Sequence, residues 1–279
     1  MLVNLDHVLK PAKENGYAVG LFNTTDTDML EAAISAAEEL RSPIIIGTAE
    51  VLLPSGELKL IAPSIIAAAK RATVPVVVHY DHGLTFERCI EALKLGFSSI
   101  MFDGSVKDYE TNIRETRELV KIAHAMGVTV EGEIGHVGTI GDGSECDASD
   151  LYTTPEQAVN YINDTGVDAL AVAIGTAHGK YIKKPVLDIG RLDEIRAATE
   201  VPLVLHGGSG LSDDDFRNTV KHGIAKINIF TDLCLAGNRA MSEGLAADEA
   251  YLAIRDRKVA AIKEVVMEKM KLFGSAGRV

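Results

Sequence analysis

The chain has few cysteines and no long apolar run, and each shortage excludes a class of protein. Its three cysteines, Cys89, Cys146 and Cys234, are too few and too scattered for a disulfide framework, and no CxxC pair indicates a thiolate metal site. No apolar run approaches the roughly 20 residues of a membrane span. Residues 1–17 carry acidic and polar side chains where a signal peptide needs an apolar core. We therefore expect a cytoplasmic protein.

Positive charge is also scarce. The chain has 28 lysines and arginines against 40 aspartates and glutamates, which gives a formal net charge of −12. A field of this sign repels the phosphates of nucleic acids and of anionic membranes, so we expect neither as a partner. A phosphorylated ligand would need hydrogen-bond donors arranged locally around it.

The sequence also lacks internal repeats, low-complexity tracts and linkers. With 279 residues, of which 47% are hydrophobic, it is long enough for one large core, so we expect a single domain over residues 1–279. Short apolar, β-branched runs recur eight times, at Ala18–Phe22, Pro43–Ile46, Pro75–Tyr80, Ser98–Phe102, Val128–Glu133, Ala169–Ile174, Pro202–His206 and Ala225–Ile229.

The segments between these runs favour helices. In Asp28–Leu40, which Asp26 or Thr27 can cap, apolar residues follow the spacing of a helix packed on one face. Apolar strands that alternate with helices indicate a parallel sheet, and eight such units favour a closed (β/α)8 TIM barrel of the α/β class. Gly135–Leu151 is polar and glycine-rich and predicts a loop without regular elements. Thr231–Leu272 predicts extra C-terminal helices that cover the side of the barrel or pack against another subunit.

Three histidines stand just after predicted strands: His82, His178 and His206. Active sites of such barrels lie at the carboxyl ends of the strands, and three imidazoles that meet there match the three protein ligands of a catalytic zinc. Taken alone, a histidine at a strand end is more often a hydrogen-bonded structural residue. The other histidines receive that structural interpretation, with His136 left open because it lies in the long loop; they are His7, His79, His124, His136 and His222.

Three carboxylates end strands at the same mouth. Asp81 follows the third run, Asp103 follows the fourth, and Glu133 closes the fifth. Together with the histidines they predict a cluster of acids and imidazoles contributed by several strands.

Two further segments predict an anion site. Gly207, Gly208 and Ser209 follow the seventh strand, and Asn228–Thr231 closes the eighth. Exposed backbone amides and hydroxyls at these two loops commonly hold phosphate in such barrels. The plainer alternative is a pair of tight turns, but beside a predicted metal we favour phosphate binding.

In order along nearly the whole chain, HYDHG, MFDGS, VEGEIG, AVAIGTAHG, PLVLHGGSG and KINIFTD resemble the class II, zinc-dependent ketose-phosphate aldolases, which include the fructose- and tagatose-bisphosphate aldolases. The resemblance implies a (β/α)8 barrel, a homodimer or homotetramer, and a role in carbohydrate metabolism such as glycolysis. It also implies reversible cleavage of a phosphorylated sugar, a ketose phosphate, to dihydroxyacetone phosphate and an aldehyde.

The resemblance assigns roles to individual positions. It makes His82, His178 and His206 the ligands of the catalytic Zn2+, and Asp81 the acid/base at the C4 hydroxyl. Asp103 and Glu133 resemble the carboxylates of a second or alternative divalent position. It implies that the shared triose phosphate is bound by Gly179, Gly207, Gly208, Ser209, Asn228, Ile229, Phe230 and Thr231. In this family a monovalent cation often binds near that phosphate.

The chain departs from the family pattern at two places. The loop after the fifth strand lacks the family's Gly-Gly-Glu-Glu-Asp run, which leaves Asp142 and Glu145 as nearby substitutes for proton transfer. The Asp-Pro-Arg stretch near the C-terminus is also missing, and Arg255 or Arg257 would have to hold a second phosphate. A ketose 1-phosphate, with a longer or acidic tail among the options, therefore stays a substrate candidate beside the bisphosphates.

Two other functions compete with the zinc aldolase. A Schiff-base aldolase needs a desolvated lysine at the mouth, but Lys226, the nearest candidate, lies at the start of the eighth strand, on the wrong end. A non-catalytic phosphosugar-binding barrel is expected to have lost Asp81 or a histidine ligand, and none is lost here.

Overall fold

Eleven strands and ten helices are present in the part of the chain that the structure, a computed structural model, describes: residues 1–135, 152–179 and 185–279 in full, and residues 138–139 by their backbone. The strands are β1 (Leu2–Val3), β2 (Val19–Asn23), β3 (Ile44–Ala49), β4 (Val76–Gly83), β5 (Ser99–Phe102), β6 (Thr129–Ile134), β7 (Gly138–Thr139), β8 (Ala169–Val172), β9 (Ala177–His178), β10 (Leu203–Leu205) and β11 (Ile224–Ile229). The helices are α1 (Leu5–Asn15), α2 (Thr27–Leu40), α3 (Leu58–Arg71), α4 (Phe86–Leu95), α5 (Tyr109–Ala125), α6 (Pro155–Thr165), α7 (Ile189–Ala198), α8 (Asp213–Lys221), α9 (Thr231–Ala246) and α10 (Tyr251–Phe273).

Eight of the strands close into a parallel barrel. They are hydrogen-bonded in the order β4-β3-β2-β11-β10-β8-β6-β5, and β4 also pairs with β5 to complete the ring. Helices lie between successive strands, so the architecture is the predicted (β/α)8 TIM barrel. Each predicted apolar run overlaps one barrel strand, because a strand covered by helices on one face and by the barrel interior on the other is largely apolar.

The helix boundaries follow from local hydrogen bonding. The Asp26 side chain accepts hydrogen bonds from the backbone N–H groups of Asp28 and Met29 at the start of α2, so Asp26 rather than Thr27 is the cap. The predicted helical region Thr231–Leu272 is two helices, α9 and α10, separated at residues 247–250. Helix α10 packs against α2, α8 and α9 and therefore covers the side of the barrel.

The barrel interior is layered from its amino end to its carboxyl end. Helix α1 closes the amino end, where Val8 and Leu9 join an apolar cluster with Val19, Ile45 and Val77. Two residues further toward the carboxyl end of the strands, the inward side chains are polar, and the site residues lie beyond this layer. Side chains on one strand alternate between faces, so inward residues such as Val77 recur at every second position toward the mouth.

The long loop after β6 begins with a regular pairing that was not predicted. Within Gly135–Leu151, where no regular element was expected, the backbone of β7 pairs in parallel with β9, and Thr139 is the partner of His178. The start of this loop is thus tied to the backbone of a predicted metal ligand.

No helix within the described residues is long and apolar enough to cross a membrane.

Candidate active site

The predicted site residues come from six barrel strands and the segments that follow them, at one end of the barrel. A pocket of about 450 Å³ opens there, a volume within the range of small-molecule sites. Its walls include the predicted catalytic, metal and triose-phosphate positions in the described residues except His206, which is fully buried beneath it. These lining residues are Asp81, His82, Asp103, Glu133, His178, Gly179, Gly207, Gly208, Ser209, Asn228, Ile229, Phe230 and Thr231.

The three predicted histidine ligands lie against one another. The ring centroid of His82 is 4.8 Å from that of His178 and 4.5 Å from that of His206, and the last two are 5.9 Å apart. One ring nitrogen from each residue falls within 4.8 Å of the others. Strand β4, strand β9 and the segment after β10 therefore bring the three imidazoles to one point, as a shared metal ion requires.

The hydrogen bonds of these rings leave one nitrogen free on each. His82 Nδ1 is 2.7 Å from Asp103 Oδ2, and His206 Nε2 is 2.9 Å from Glu131 Oε1. Meanwhile His82 Nε2, His178 Nε2 and His206 Nδ1 are buried without a hydrogen-bond partner among the described residues. Zinc ligands typically bond a carboxylate through the nitrogen that does not face the metal. The donor set fits a divalent ion bound by three imidazoles.

A second group of ligands overlaps the first. His82, Asp103 and Glu133 also bring ligand atoms within 4.8 Å of one another. Glu133 Oε2 is buried without a hydrogen-bond partner among the described residues and lies 3.2 Å from His206 Nδ1. The carboxylates are therefore close enough to serve an alternative position of the same ion or a second divalent ion.

The electrostatics of the cluster prevent three protonated rings. Burial lowers the pKa of His178 to about 3, and the neighbouring His82 and His206 contribute to this by repulsion. Burial also lowers the pKa of His206, but its contacts with Glu131 and Glu133 outweigh this and raise it to about 10. The carboxylates around His206 favour a positive charge at the centre of the cluster. Burial and mutual repulsion prevent all three rings from being protonated at once.

Asp81 is held as a carboxylate beside the histidines. It is 1% exposed, and its two oxygens accept hydrogen bonds from Asn23 Nδ2 at 2.7 Å and Asn228 Nδ2 at 3.0 Å. Burial raises the pKa of Asp81, but His82 and Lys226 lower it more, so the pKa lies well below its usual value. Sequence reasoning did not single out Asn23, although it ends β2 at the same mouth.

His206 rests on a buried ion pair that sequence reasoning missed. Lys226 Nζ lies 3.0 and 2.8 Å from the two carboxylate oxygens of Glu131, and both residues are 0% exposed. Lys226 was predicted to lie away from the mouth, and its side chain indeed sits in the barrel interior, below the pocket rather than in it. Glu131 is two residues before Glu133, and Lys226 two before Asn228, so strand alternation is the signal that would have found both.

The structural interpretation of His79 was incomplete. His79 is fully buried inside the barrel, two residues before Asp81, and its Nδ1 is 2.7 Å from Ser99 Oγ. Its Nε2 lies 3.8 Å from Asp81 Oδ1 and 3.9 Å from Glu131 Oε2. Burial lowers its pKa to about 3, and the nearby charge of Lys226 contributes, so His79 is a neutral residue in the layer under the site.

Two features of the backbone shape the site. His82 has a φ of 44°, in the left-handed region that residues other than glycine rarely adopt. Gly207 has a φ of 65°, and a Cβ there would lie 2.5 Å from the carbonyl oxygen of Ala177. Position 207 therefore accepts only glycine without local rearrangement.

The loop after β10 is joined to the start of α9. Ser209 Oγ accepts hydrogen bonds from the backbone N–H groups of Phe230 at 3.2 Å and Asp232 at 3.4 Å. The first turn of a helix presents N–H groups that have no partner within the helix, and it favours anions. Gly207, Gly208 and the start of α9 therefore lie together on one side of the pocket, and phosphate binding there stays a prediction.

Some predicted residues lie elsewhere. Asp142, Glu145 and His136 are outside the described residues. Arg255 contacts Asp28 and Glu31, and Arg257 contacts Glu249. Neither arginine lines the pocket.

Comparison with known proteins identifies the family. The model of the class II fructose-bisphosphate aldolase family matches residues 3–278. The chain belongs to the class II fructose-bisphosphate aldolases. It is 41% identical over 278 residues to the uncharacterized protein YdjI of Escherichia coli K12, covering 100% of this chain and 99% of YdjI. It is 40% identical over 308 residues to the fructose-bisphosphate aldolase of Thermus caldophilus, with 100% of both chains covered. The crystal structure of the YdjI aldolase superposes with a TM-score of 0.90 at 38% identity, covering 100% of this chain and 99% of that one. The predicted family is thus confirmed, and this family implies that the protein is a lyase.

Proposed function

We propose that this class II aldolase is zinc-dependent and reversibly cleaves a ketose phosphate to dihydroxyacetone phosphate and an aldehyde. The observation that carries the proposal is the set of three unpartnered ring nitrogens, on His82, His178 and His206, beside the ionised Asp81. Fructose and tagatose bisphosphates and ketose 1-phosphates are the candidate substrates. The proposed enzyme is a cytoplasmic homodimer or homotetramer.

The chemistry needs a stabilised negative charge and a base. Cleavage of the C3–C4 bond leaves an enediolate on the three-carbon fragment, and a divalent ion bound by the three imidazoles would stabilise that charge as a Lewis acid. Asp81 takes the proton of the C4 hydroxyl as the bond breaks, which releases the aldehyde. A loop carboxylic acid, for which Asp142 and Glu145 are the predicted candidates, then gives a proton to the enediolate carbon, which completes dihydroxyacetone phosphate. In condensation the same group, now ionised, takes the C3 proton of dihydroxyacetone phosphate, the C3 carbon bonds to the carbonyl carbon of the aldehyde, and the aldehyde oxygen takes the proton that Asp81 carries.

Other side chains in the pocket hold these groups in place. Asn23 and Asn228 fix both oxygens of Asp81 through their hydrogen bonds, so the base keeps one orientation. The triose phosphate is proposed to bind at Gly207, Gly208 and the first turn of α9, with Gly179 at the rim. A second divalent position at His82, Asp103 and Glu133 would use the overlapping ligand group.

The geometry argues against the Schiff-base alternative. No lysine lines the pocket among the residues that the structure describes. Lys226 is paired with Glu131 inside the barrel, away from a carbonyl substrate.

Metal removal and an isosteric variant test the proposal. A chelator should abolish cleavage and Zn2+ should restore it. Asp81→Asn should lower kcat by about 100-fold or more while the protein still binds one zinc per chain, because only the base is lost. Asp214→Asn, an exposed aspartate on α8, is the matched control and should keep parental kcat. Full activity in the metal-free protein, or parental kcat in Asp81→Asn, would contradict the proposal.

A further inference from the structure

We propose that the aldehyde half of this pocket selects an uncharged aldehyde rather than an aldehyde phosphate, and that Val51, Leu84 and Val106 form the selecting wall. The inference rests on the proposed aldolase function and adds the class of its second substrate.

The two sides of the pocket differ in chemistry. The loops after β8, β10 and β11 supply glycines, Ser209 and the start of α9. Across the mouth, the segments after β3, β4 and β5 supply mostly aliphatic side chains: Ala49, Val51, Leu52, Leu84, Ser105 and Val106. A triose phosphate bound on the first side directs its reacting carbon toward Asp81 and the aldehyde toward the second.

The aliphatic side chains are unusually exposed. Val51 is 64% exposed, Leu84 38% and Val106 75%, although all three line the same pocket. Apolar side chains clustered at the rim of a pocket mark a surface that a ligand covers. They offer no hydrogen bond to a phosphate, whose desolvation would go uncompensated.

No free cation stands on this side among the described residues. The pocket lining there contains neither lysine nor arginine. The cations nearest in the chain are all paired: Lys59 and Arg88 with Glu91, at 3.3 and 2.6 Å, and Lys107 with Glu115 at 2.5 Å. The carboxylates of Asp81 and Asp103 would repel a second phosphate dianion.

The wall is held in place by one anchor. Glu50 Oε2 accepts hydrogen bonds from Leu84 N at 2.8 Å, Thr85 N at 3.3 Å and Tyr80 Oη at 3.2 Å, and Glu50 Oε1 accepts one from Thr85 Oγ1 at 3.1 Å. Because Glu50 immediately precedes Val51, these bonds tie the segment after β3 to the segment after β4. Glu50 is therefore a positioning residue for the aliphatic wall.

The decisive experiment separates the two half-reactions. Zinc-loaded protein is first incubated in D2O with dihydroxyacetone phosphate alone, and exchange at its C3 is followed by proton NMR. Condensation is then measured with glyceraldehyde, lactaldehyde and glyceraldehyde 3-phosphate. We expect exchange, and a kcat/KM at least tenfold higher for both uncharged aldehydes than for glyceraldehyde 3-phosphate.

A charge-introducing variant tests the wall itself. Val106→Arg should shift the ratio of kcat/KM for glyceraldehyde 3-phosphate to kcat/KM for glyceraldehyde at least tenfold toward the phosphate. The reason is that the variant places a cation at the wall that the far end of the aldehyde would contact. Val186→Arg is the matched control: Val186 is 84% exposed and lies outside this pocket, so the ratio should not change. Glu50→Gln should raise KM for the uncharged aldehydes more than it lowers kcat.

The outcomes distinguish the two proposals. Exchange combined with an equal or higher kcat/KM for glyceraldehyde 3-phosphate would overturn the inference and leave the aldolase function standing. An unchanged ratio in Val106→Arg would remove the wall's role. Absence of exchange in the zinc-loaded protein would refute the aldolase function, and the inference with it.

Discussion

Lys226→Met removes one partner of the fully buried ion pair beneath the proposed metal ligands. Lys226 and Glu131 are both 0% exposed, and the lysine nitrogen lies 2.8 Å from the nearer carboxylate oxygen. Methionine fills a similar volume, so the main effect is an uncompensated carboxylate in the barrel interior. Glu131 also accepts a hydrogen bond from His206, which makes the pair part of the support of the site.

The magnitude follows from the burial of the remaining charge. Removing one partner of a buried ion pair costs about 3–5 kcal/mol of unfolding free energy. With an m-value of about 3 kcal/mol/M, the urea midpoint should fall by roughly 1–2 M. Unfolding is followed by circular dichroism at neutral pH in the presence of a chelator, so that metal binding does not contribute to the measured stability.

Two controls make the result specific. In Lys226→Met/Glu131→Gln the buried charge is gone and the amide oxygen introduced at position 131 still accepts the bond from His206, so stability should return to within about 1–2 kcal/mol of the parent. Lys263→Met breaks the exposed pair with Glu39 and should cost at most about 1 kcal/mol. A loss in Lys226→Met no larger than in Lys263→Met would refute the assignment of a buried ion pair.

Two further predictions concern stability against pH and the glycine loop. Burial raises the pKa of Asp26, but its bonds with Lys258 and Met29 N bring it below 3.8, so this carboxylate stabilises the fold above pH 3.8 and the contribution is lost as pH falls below it. Asp26→Asn should therefore flatten this part of the curve of unfolding free energy against pH, and an unchanged curve would contradict the pairing. Gly207→Ala places a methyl group 2.5 Å from Ala177 O at a φ of 65° and should cost about 1–3 kcal/mol of stability and raise KM for dihydroxyacetone phosphate in condensation. Parental stability and KM would show that the loop rearranges freely.

The barrel was predictable because its strands are apolar toward the helices and, at the amino end, also toward the interior. Runs such as Pro75–Tyr80 are rich in apolar, β-branched residues, and the eight runs indicated eight β/α units. Their ends were less predictable: β4 continues to Gly83, through Asp81 and His82, since polar site residues still pair with β3 and β5. The three histidines at strand ends indicated the position of the mouth, because the active sites of such barrels lie at the carboxyl ends of the strands.

The layer beneath the site could not be predicted by looking at strand ends. Lys226 was predicted at the start of the eighth strand, away from the mouth, but nothing in the sequence indicated that its side chain is fully buried. Only the closed ring, which places β11 across from β6, brings Lys226 to Glu131. Pairings across a barrel depend on closure, and a single sequence carries no direct signal of which inward residues face one another.

Helix α1 illustrates the same limit at the other end. Val8 and Leu9 pack into the amino end of the barrel, but the segment around them is short and interrupted by Pro11 and charged residues. The role of α1 is to cover the amino end of the barrel, and this opening exists only once the sheet has closed.

The left-handed backbone at His82 lowers the stability of the fold in order to place an imidazole in the site. A non-glycine residue at a φ of 44° carries a conformational penalty of about 1–3 kcal/mol. Glycine or asparagine would fit that backbone more comfortably, and a barrel that served only as a scaffold would gain by adopting either. The imidazole at position 82 thus lowers the stability of the metal-free protein, and in the proposed enzyme the binding of an ion would offset that cost.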